Sequence, residues 1–177
     1  MTDQNQNPAH PDEHSASLVD LAKALDNEGM IGYTRAFVDD LRQGLAHATT
    51  ERFPWIETLS RKKWNGVLCL GMGGSAAGGE FLSALASFQG SVPVHVQRDY
   101  VLPAWWSQSW LVLSTSHSGN TEETLEATET ALKAGATTIA ISTGGELAGL
   151  PELYPECYLI PSIGGQPPRS AFGHIFS

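Results

Sequence analysis

The expected fold follows from one stretch of sequence, Ser114-Thr115-Ser116-His117-Ser118-Gly119-Asn120-Thr121-Glu122-Glu123-Thr124. The apolar run from Trp110 to Leu113 precedes it and is typical of a buried strand, and the residues from Leu125 to Lys133 have the spacing of a helix. A hydroxyl-rich turn therefore lies between the end of a strand and the start of a helix. Free backbone N–H groups and the positive end of the helix dipole meet there, so we expect the turn to hold an anion such as phosphate.

The hydroxyl groups of this turn have two interpretations. Ser116, Ser118 and Thr121 would supply side-chain donors to the anion. Alternatively, Ser118, Asn120 or Thr121 caps the helix, and the two glutamates that follow stabilise its first turn. The turn on its own leaves both interpretations open.

Size and composition indicate one acidic globular domain. The chain has 177 residues, 41% of them hydrophobic, and a net charge of −9, which argues against a general nucleic-acid binder because such proteins carry a basic surface. No apolar run approaches the length of a membrane span, and the polar N-terminus does not resemble a signal peptide. We therefore expect a soluble, cytoplasmic protein with neither a membrane nor a nucleic acid as partner.

The cysteines give no sign of a metal site. Cys69 lies inside a predicted strand, Cys157 lies near the start of another, and their spacing is not that of metal ligands. The sequence therefore predicts two buried free thiols. The rest of the sequence offers no convincing metal cluster either, and we expect neither a metal nor a cofactor.

Three segments follow one another along the chain. Residues 1–16 contain almost nothing that can be buried, and we expect a disordered tail. Residues 17–63 carry two helical patterns, at about 18–27 and 33–48, which we expect to pack as N-terminal helices before the core domain. Residues 64–177 alternate between strand and helix patterns and form the core domain.

The core domain is predicted to be α/β, with a five-stranded parallel sheet between two layers of helices. Strands are predicted at about 67–70, 92–96, 110–113, 137–142 and 157–160, with helices over about 75–88 and 121–133. The expected order is 2-1-3-4-5, the flavodoxin-like order of a three-layer αβα sandwich. Pro93 and His95 favour an edge position for the second strand. The carboxyl ends of strands 1 and 3 then open onto one crevice.

A glycine loop, Gly71-Met72-Gly73-Gly74-Ser75, ends the first strand and becomes the neighbour of the hydroxyl-rich turn in this order. Two turns suited to anions beside one crevice favour a phosphate site. The competing hypothesis is a dinucleotide, because Gly71-x-Gly73-x-x-Ala76 fits that fingerprint and Asp99 lies at a suitable distance for the ribose. The glycine pattern alone is weak evidence, and a dinucleotide site has no general need for several serines after strand 3.

Three stretches together resemble the sugar isomerase (SIS) domain family, and within it the bifunctional phosphoglucose/phosphomannose isomerases. They are Gly71 to Ser75, the run Ser116-His117-Ser118-Gly119-Asn120-Thr121-Glu122-Glu123-Thr124-Leu125, and Pro167-Pro168-Arg169-Ser170-Ala171-Phe172-Gly173. The resemblance runs from about residue 20 to the C-terminus. It implies a metal-independent aldose–ketose isomerase that interconverts glucose 6-phosphate or mannose 6-phosphate with fructose 6-phosphate through a cis-enediol.

The resemblance also implies a role for individual residues. The sugar phosphate is bound by Ser116, Ser118 and Thr121, the sugar lies along Gly73, Gly74 and Ser75, and the catalytic residue is Arg169, near C1 and C2. Chemistry supports the last assignment, because moving a proton between C2 and C1 develops negative charge on oxygen that a fixed guanidinium can stabilise.

The chain departs from the family pattern in two ways. His117 replaces the usual tyrosine, and we expect it to support the turn rather than to react. Family members continue into a second SIS subdomain that supplies a glutamate base, a lysine and a histidine, the histidine from the partner of a homodimer. Ser177 is the last residue here, so we expect the first half of such an enzyme, with an incomplete active site that binds better than it catalyses.

Three remaining features leave alternatives open. His174 is a local acid/base candidate, although a packed or solvated histidine is the simpler interpretation. Trp105, Trp106 and Trp110 are expected to pack between lobes or subunits rather than to stack on sugar. The alternative function is a non-catalytic SIS module that binds sugar phosphate and acts with a partner.

Overall fold

A computed structural model of the chain describes residues 17–90, 92–167 and 170–176, without the side chains of Phe172 and Phe176. The predicted tail over residues 1–16 and the candidate catalytic residue Arg169 lie outside these residues. The helices are α1 (Leu18–Leu25), α2 (Met30–His47), α3 (Trp55–Ser60), α4 (Gly73–Gln89), α5 (Glu122–Lys133), α6 (Gly145–Leu153) and α7 (Phe172–Phe176), and the strands are β1 (Val67–Leu70), β2 (Val94–Gln97), β3 (Leu111–Thr115), β4 (Thr138–Ser142) and β5 (Cys157–Pro161).

The five strands form one parallel sheet in the order β2-β1-β3-β4-β5. The predicted order and the α/β class are confirmed. Strand β1 pairs with β2 on one side and with β3 on the other, so Val67 lies opposite both Val94 and Leu111. Strand β2 is at the edge of the sheet, as expected from Pro93, which cannot donate a ladder hydrogen bond. The chain therefore reverses its direction of winding at β1, and a crevice is expected where the carboxyl ends of β1 and β3 meet.

One face of the sheet packs against α5 and α6. Leu68 and Val112 are fully buried against Ala127 and Ala131 of α5, whose short side chains let the helix approach the strands closely. Leu147 continues this layer from α6. Each fully buried leucine contributes roughly 1.5–3 kcal/mol relative to exposure, so this face supplies much of the stability of the fold.

The opposite face is covered by α2, α4 and α7. Helix α4 comes closest at Gly79, where a Cβ atom would lie only 2.7 Å from Cβ of Cys69. Beside this contact the helices leave a cavity of about 470 Å³, whose mostly apolar wall includes Leu113, Ile141 and Ile175. This face is therefore the more loosely packed one.

Helix ends follow local sequence signals. Ser17 caps α1 by accepting a hydrogen bond from the Asp20 N–H. Gly135 closes helix α5 two residues after its last residue, as predicted. This glycine adopts the left-handed conformation, with φ 85°. The Gly135 and Ala136 N–H groups donate to carbonyl oxygens of the last turn, which is the Schellman arrangement.

The connection from β2 to β3 contains turns instead of the helix that strict alternation would place there. Trp106 and Trp110 from this connection pack against the chain's own core. Trp105 is 53% exposed and makes a T-shaped contact with His95, with ring centroids 4.9 Å apart. Among the described residues, no helix combines the length and the apolar character needed to cross a membrane.

Candidate functional site

The turn that joins β3 to α5, residues 116–121, is called the serine turn below. Ser116 is 1% exposed, and its Oγ lies 2.9 Å from Thr121 Oγ1. The Gly119 N–H donates to the same Ser116 oxygen over 3.1 Å. Ser118 is exposed at the surface of the turn. The turn thus brings together two of the three predicted phosphate-binding side chains and leaves the third open to solvent.

The predicted cap residues do not cap α5. Thr121 stands at the N-cap position, but its side chain makes no capping hydrogen bond. Ser118 Oγ accepts a hydrogen bond from the Asn120 N–H, and Asn120 Oδ1 accepts one from the N–H of Glu146 in α6. These hydroxyl and amide groups shape the turn instead. The positive end of α5 therefore stays available to an anion, which favours the first interpretation of the turn.

A second loop is hydrogen-bonded to the serine turn. Local sequence patterns did not predict this contact. This loop joins β4 to α6 and is called the β4 loop, residues 143–144. Thr143 donates from both its N–H and its Oγ1 to the His117 carbonyl oxygen, at 3.2 and 2.6 Å. The Leu147 N–H donates to the Gly119 carbonyl oxygen. Gly119 has φ 72°, and a Cβ atom there would lie 1.8 Å from the Gly144 carbonyl oxygen, so only glycine fits.

The glycine loop at the end of β1 adjoins the end of β3. A Cβ atom on Gly71 would lie 3.0 Å from the Thr115 carbonyl oxygen, which shows how closely the two chain segments pass. Gly73 adopts φ 52° where α4 begins, and both Gly73 and Gly74 are exposed. Ser75 lies at the wall of the cavity. The glycine loop therefore borders the same edge of the sheet as the serine turn.

The large cavity and the serine turn are separate features. Ser75 and Thr115 contribute to the cavity wall, whereas Ser116, Ser118 and Thr121 do not. The cavity is mostly apolar and lies under α2, α4 and α7. An anion at the start of α5 would therefore bind beside this cavity and not inside it.

The strand order disfavours the dinucleotide hypothesis. In the dinucleotide fold strand 3 lies beyond strand 2, and the strand beside strand 1 at the crevice is the fourth. Here β3 is the strand beside β1, and it delivers the serine turn to the crevice. Asp99, the proposed ribose contact, is engaged locally with the Tyr100 N–H at 2.7 Å.

Both cysteines are free and buried, as predicted. Burial raises the pKa of Cys69 to about 12 and that of Cys157 to about 11, so both are neutral thiols near pH 7. Within the described ranges, no group of three or more His, Cys, Asp or Glu side chains is arranged to hold a metal ion.

The chain is similar in sequence to several known proteins. No protein-family model matches it. It is 46% identical over 111 residues to a bifunctional phosphoglucose/phosphomannose isomerase of Caldicellulosiruptor bescii, an alignment that covers 62% of the chain and 32% of the relative. A protein of the same name from Thermoplasma acidophilum is 39% identical over 112 residues, or 63% of the chain and 34% of that protein. The chain thus spans about one third of the length of the curated relatives it matches.

Solved structures agree on the architecture. Tagatose-6-phosphate ketose/aldose isomerase from Escherichia coli superimposes with a TM-score of 0.64 at 20% identity, over 84% of this chain and 44% of that one. The Vibrio vulnificus NanR protein, solved with ManNAc-6P, gives 0.61 at 20% identity, over 89% and 62%. The fold is that of SIS phosphosugar isomerases. The two homologues named above are called bifunctional phosphoglucose/phosphomannose isomerases, and the resemblance based on the three sequence stretches is confirmed.

Proposed function

We propose that this chain is the sugar-phosphate-binding part of an aldose–ketose isomerase that interconverts glucose 6-phosphate or mannose 6-phosphate with fructose 6-phosphate. The supporting observation is the uncapped start of α5 beside the hydroxyl groups of the serine turn. The two named relatives, at 39% and 46% identity, favour this substrate class over other anions. We also propose a cytoplasmic location, where such metabolites occur.

The phosphate would occupy the serine turn. Backbone N–H groups at the start of α5 donate to its oxygens, and Ser116, Ser118 and Thr121 add hydroxyl donors. Two glutamates stand in the first turn of α5, so the site offers oriented dipoles in place of a strong positive field. The sugar would then extend toward Gly73, Gly74 and Ser75, whose loop borders the same edge of the sheet.

The proposed chemistry begins with ring opening of the sugar. A base removes the proton from C2 to give a cis-enediolate, which carries the negative charge on oxygen and becomes the cis-enediol when that oxygen is protonated; return of a proton to C1 then completes the transfer. Arg169 is proposed to stabilise that charge through charge-assisted hydrogen bonds. We assign the base to the second SIS subdomain implied by the resemblance, in a homodimer, because proton transfer needs a positioned acceptor.

The second candidate is a binding module that senses sugar phosphate and acts through a partner. One of the superimposable structures contains the sugar phosphate ManNAc-6P, in a protein named NanR rather than an isomerase. The serine turn would serve this function equally well, since it requires phosphate recognition and no base.

Ligand-dependent thermal unfolding of this chain tests phosphate recognition. Fructose 6-phosphate at 100 times its dissociation constant should stabilise the fold by about 2.7 kcal/mol, which raises the melting temperature by several degrees. Fructose and NAD are the controls and should leave the temperature unchanged. Stabilisation by NAD alone would favour the dinucleotide hypothesis and contradict the proposal.

Turnover then separates the two candidates. Glucose 6-phosphate is incubated with the polypeptide that carries this chain together with any second subdomain, and fructose 6-phosphate is measured. Formation of fructose 6-phosphate supports the isomerase. Binding without turnover in that polypeptide supports the module.

A further inference from the structure

His117 connects the serine turn to a distant part of the chain. His117 lies between Ser116 and Ser118 in the sequence. Its side-chain Nε2 lies 3.1 Å from the carbonyl oxygen of Gln166, which is 49 residues later in the chain. A carbonyl oxygen can only accept a hydrogen bond, so Nε2 carries a proton in this contact. The imidazole therefore acts as a donor that ties the serine turn to the segment after β5.

The side chain of Gln166 is held by two buried residues, Asp40 and His174. Its Nε2 donates to Asp40 Oδ2 over 3.0 Å and lies 3.2 Å from His174 Nε2. Asp40 and His174 are only 8% and 7% exposed, and Asp40 Oδ1 is 3.5 Å from His174 Nε2. This polar cluster joins α2, the segment after β5 and α7. Buried polar groups are costly unless they are hydrogen-bonded, so the cluster holds Gln166 in one place.

Gln166 takes part in this cluster through both its side chain and its main chain. Its amide nitrogen donates to Asp40 Oδ2 and lies 3.2 Å from His174 Nε2, which accepts from Gln166 in one tautomer and donates to Asp40 Oδ1 in the other. The main-chain oxygen of the same residue remains free to accept from His117. The side chain and the main-chain carbonyl group of Gln166 thus connect helices α2 and α7 with the serine turn.

We propose that His117 and Gln166 are positioning residues for phosphate binding. The proposal rests on the function proposed above and deepens it at the same site. Thr143 holds the main chain of His117, and Gln166 holds its ring, so the two serines on either side are restrained from two directions. A restrained turn loses less conformational entropy when it binds an anion, which favours affinity. Neither residue needs to touch the phosphate for this effect.

Two substitutions at His117 separate the hydrogen bond from packing. His117→Phe keeps an aromatic ring and removes the donor, whereas His117→Gln places an N–H close to the position of Nε2. Inorganic phosphate is titrated by calorimetry into this chain, well below the unfolding temperature of each variant. We expect His117→Phe to weaken phosphate binding about tenfold, the size of one lost hydrogen bond, and His117→Gln to stay within about threefold of the wild type.

A substitution at Gln166 tests the anchor. Gln166→Met removes the bonds to Asp40 and His174 and keeps the main-chain acceptor. It should also weaken phosphate binding, and the double variant with His117→Phe should be no weaker than the poorer single variant, because both changes break the same connection.

The outcomes distinguish this inference from the function on which it rests. If the wild type binds phosphate and His117→Phe binds it equally well, the positioning role is overturned while the phosphate site stands. Equal losses in His117→Phe and His117→Gln, or lower melting temperatures with unchanged dissociation constants, would also overturn it. A wild-type chain that binds neither phosphate nor fructose 6-phosphate would overturn the proposed function and this inference together.

Discussion

Ser116 Oγ and Thr121 Oγ1 share a hydrogen bond of 2.9 Å that spans the serine turn. Only one of the two hydroxyl protons can lie between the oxygens, so the other is left to donate elsewhere. Ser116 also accepts from the Gly119 N–H, which fixes its orientation. The pair therefore both shapes the turn and keeps one proton for a ligand.

Removing this pair should weaken ligand binding. We expect Ser116→Ala to reduce the affinity of this chain for fructose 6-phosphate about tenfold, because the hydroxyl that contacts Thr121 and is proposed to contact the phosphate is lost. Calorimetric titration measures the change. Ser87→Ala, at an exposed serine in α4, is the control and should bind as the wild type does. Unchanged affinity in Ser116→Ala would contradict the phosphate assignment.

Gly119 cannot be replaced without opening the clasp between the serine turn and the β4 loop. Gly119→Ala combines an unfavourable φ of 72° with a clash against the Gly144 carbonyl oxygen, so we expect a loss of roughly 2–4 kcal/mol in the free energy of unfolding. Urea denaturation measures it. Gly149→Ala in α6, where a Cβ atom meets open space, should be neutral or stabilising by up to about 1 kcal/mol. Equal effects of the two substitutions would contradict this account of the turn.

Arg169→Ala should affect chemistry far more than binding. In the polypeptide that carries a second subdomain, we expect turnover to fall by about two to three orders of magnitude, since charge on the enediolate loses its partner. The affinity of this chain for inorganic phosphate should not change. Arg169→Lys retains the charge without the planar fork and should recover only part of the rate. Parallel losses of turnover and phosphate affinity would remove the enediolate role.

The two thiols should resist modification in the folded protein. Burial raises the pKa of Cys69 to about 12, so the reactive thiolate is about one part in ten thousand at pH 8. A disulfide reagent should therefore label neither cysteine within minutes, and both should react once urea unfolds the chain. Cys157→Ala halves the final signal and assigns it. Rapid labelling without urea would contradict this prediction, and labelling of Cys69 in particular would show that the chain opens easily on the cavity side.

The same raised pKa values predict a loss of stability in alkali. The folded chain holds the thiol protons more tightly than the unfolded chain does, so the contribution of the thiols to stability is fully present below about pH 9 and is lost as the pH rises toward the folded values. The free energy of unfolding, measured by urea between pH 7 and 10.5, should decrease above pH 9. In Cys157→Ala the free energy of unfolding should decrease less steeply with pH than in the wild type.

The sheet and its order were predictable because they depend on local signals that agree with one another. Short apolar runs marked each strand, and Gly135 marked the end of α5, where it adopts the required left-handed conformation. Pro93, immediately before β2, and His95 within it pointed to the edge. The glycine loop and the serine turn then became neighbours through topology alone.

Other features were missed because their partners are distant in sequence. Helix α6 contains two glycines and Pro151, which lowers its intrinsic helix propensity, yet Leu147 and Leu150 bury it against the sheet. Asn120 looked like a cap for the helix beside it, whereas it accepts from Glu146, 26 residues later. Local pattern cannot reveal a partner that tertiary structure brings near. The anchor of His117 at Gln166 was hidden for the same reason.

The hydrogen bond from the Leu147 N–H to the Gly119 carbonyl oxygen determines how much of the chain is needed to transfer this site to another protein scaffold. A graft of the serine turn alone would leave behind the strand end, the β4 loop and the first turn of α6 that hold it. Such a graft would contain the hydroxyl side chains on a backbone that is not restrained, and we expect it to bind phosphate poorly. The smallest transferable unit is the pair of consecutive strand-to-helix corners after β3 and β4, taken together.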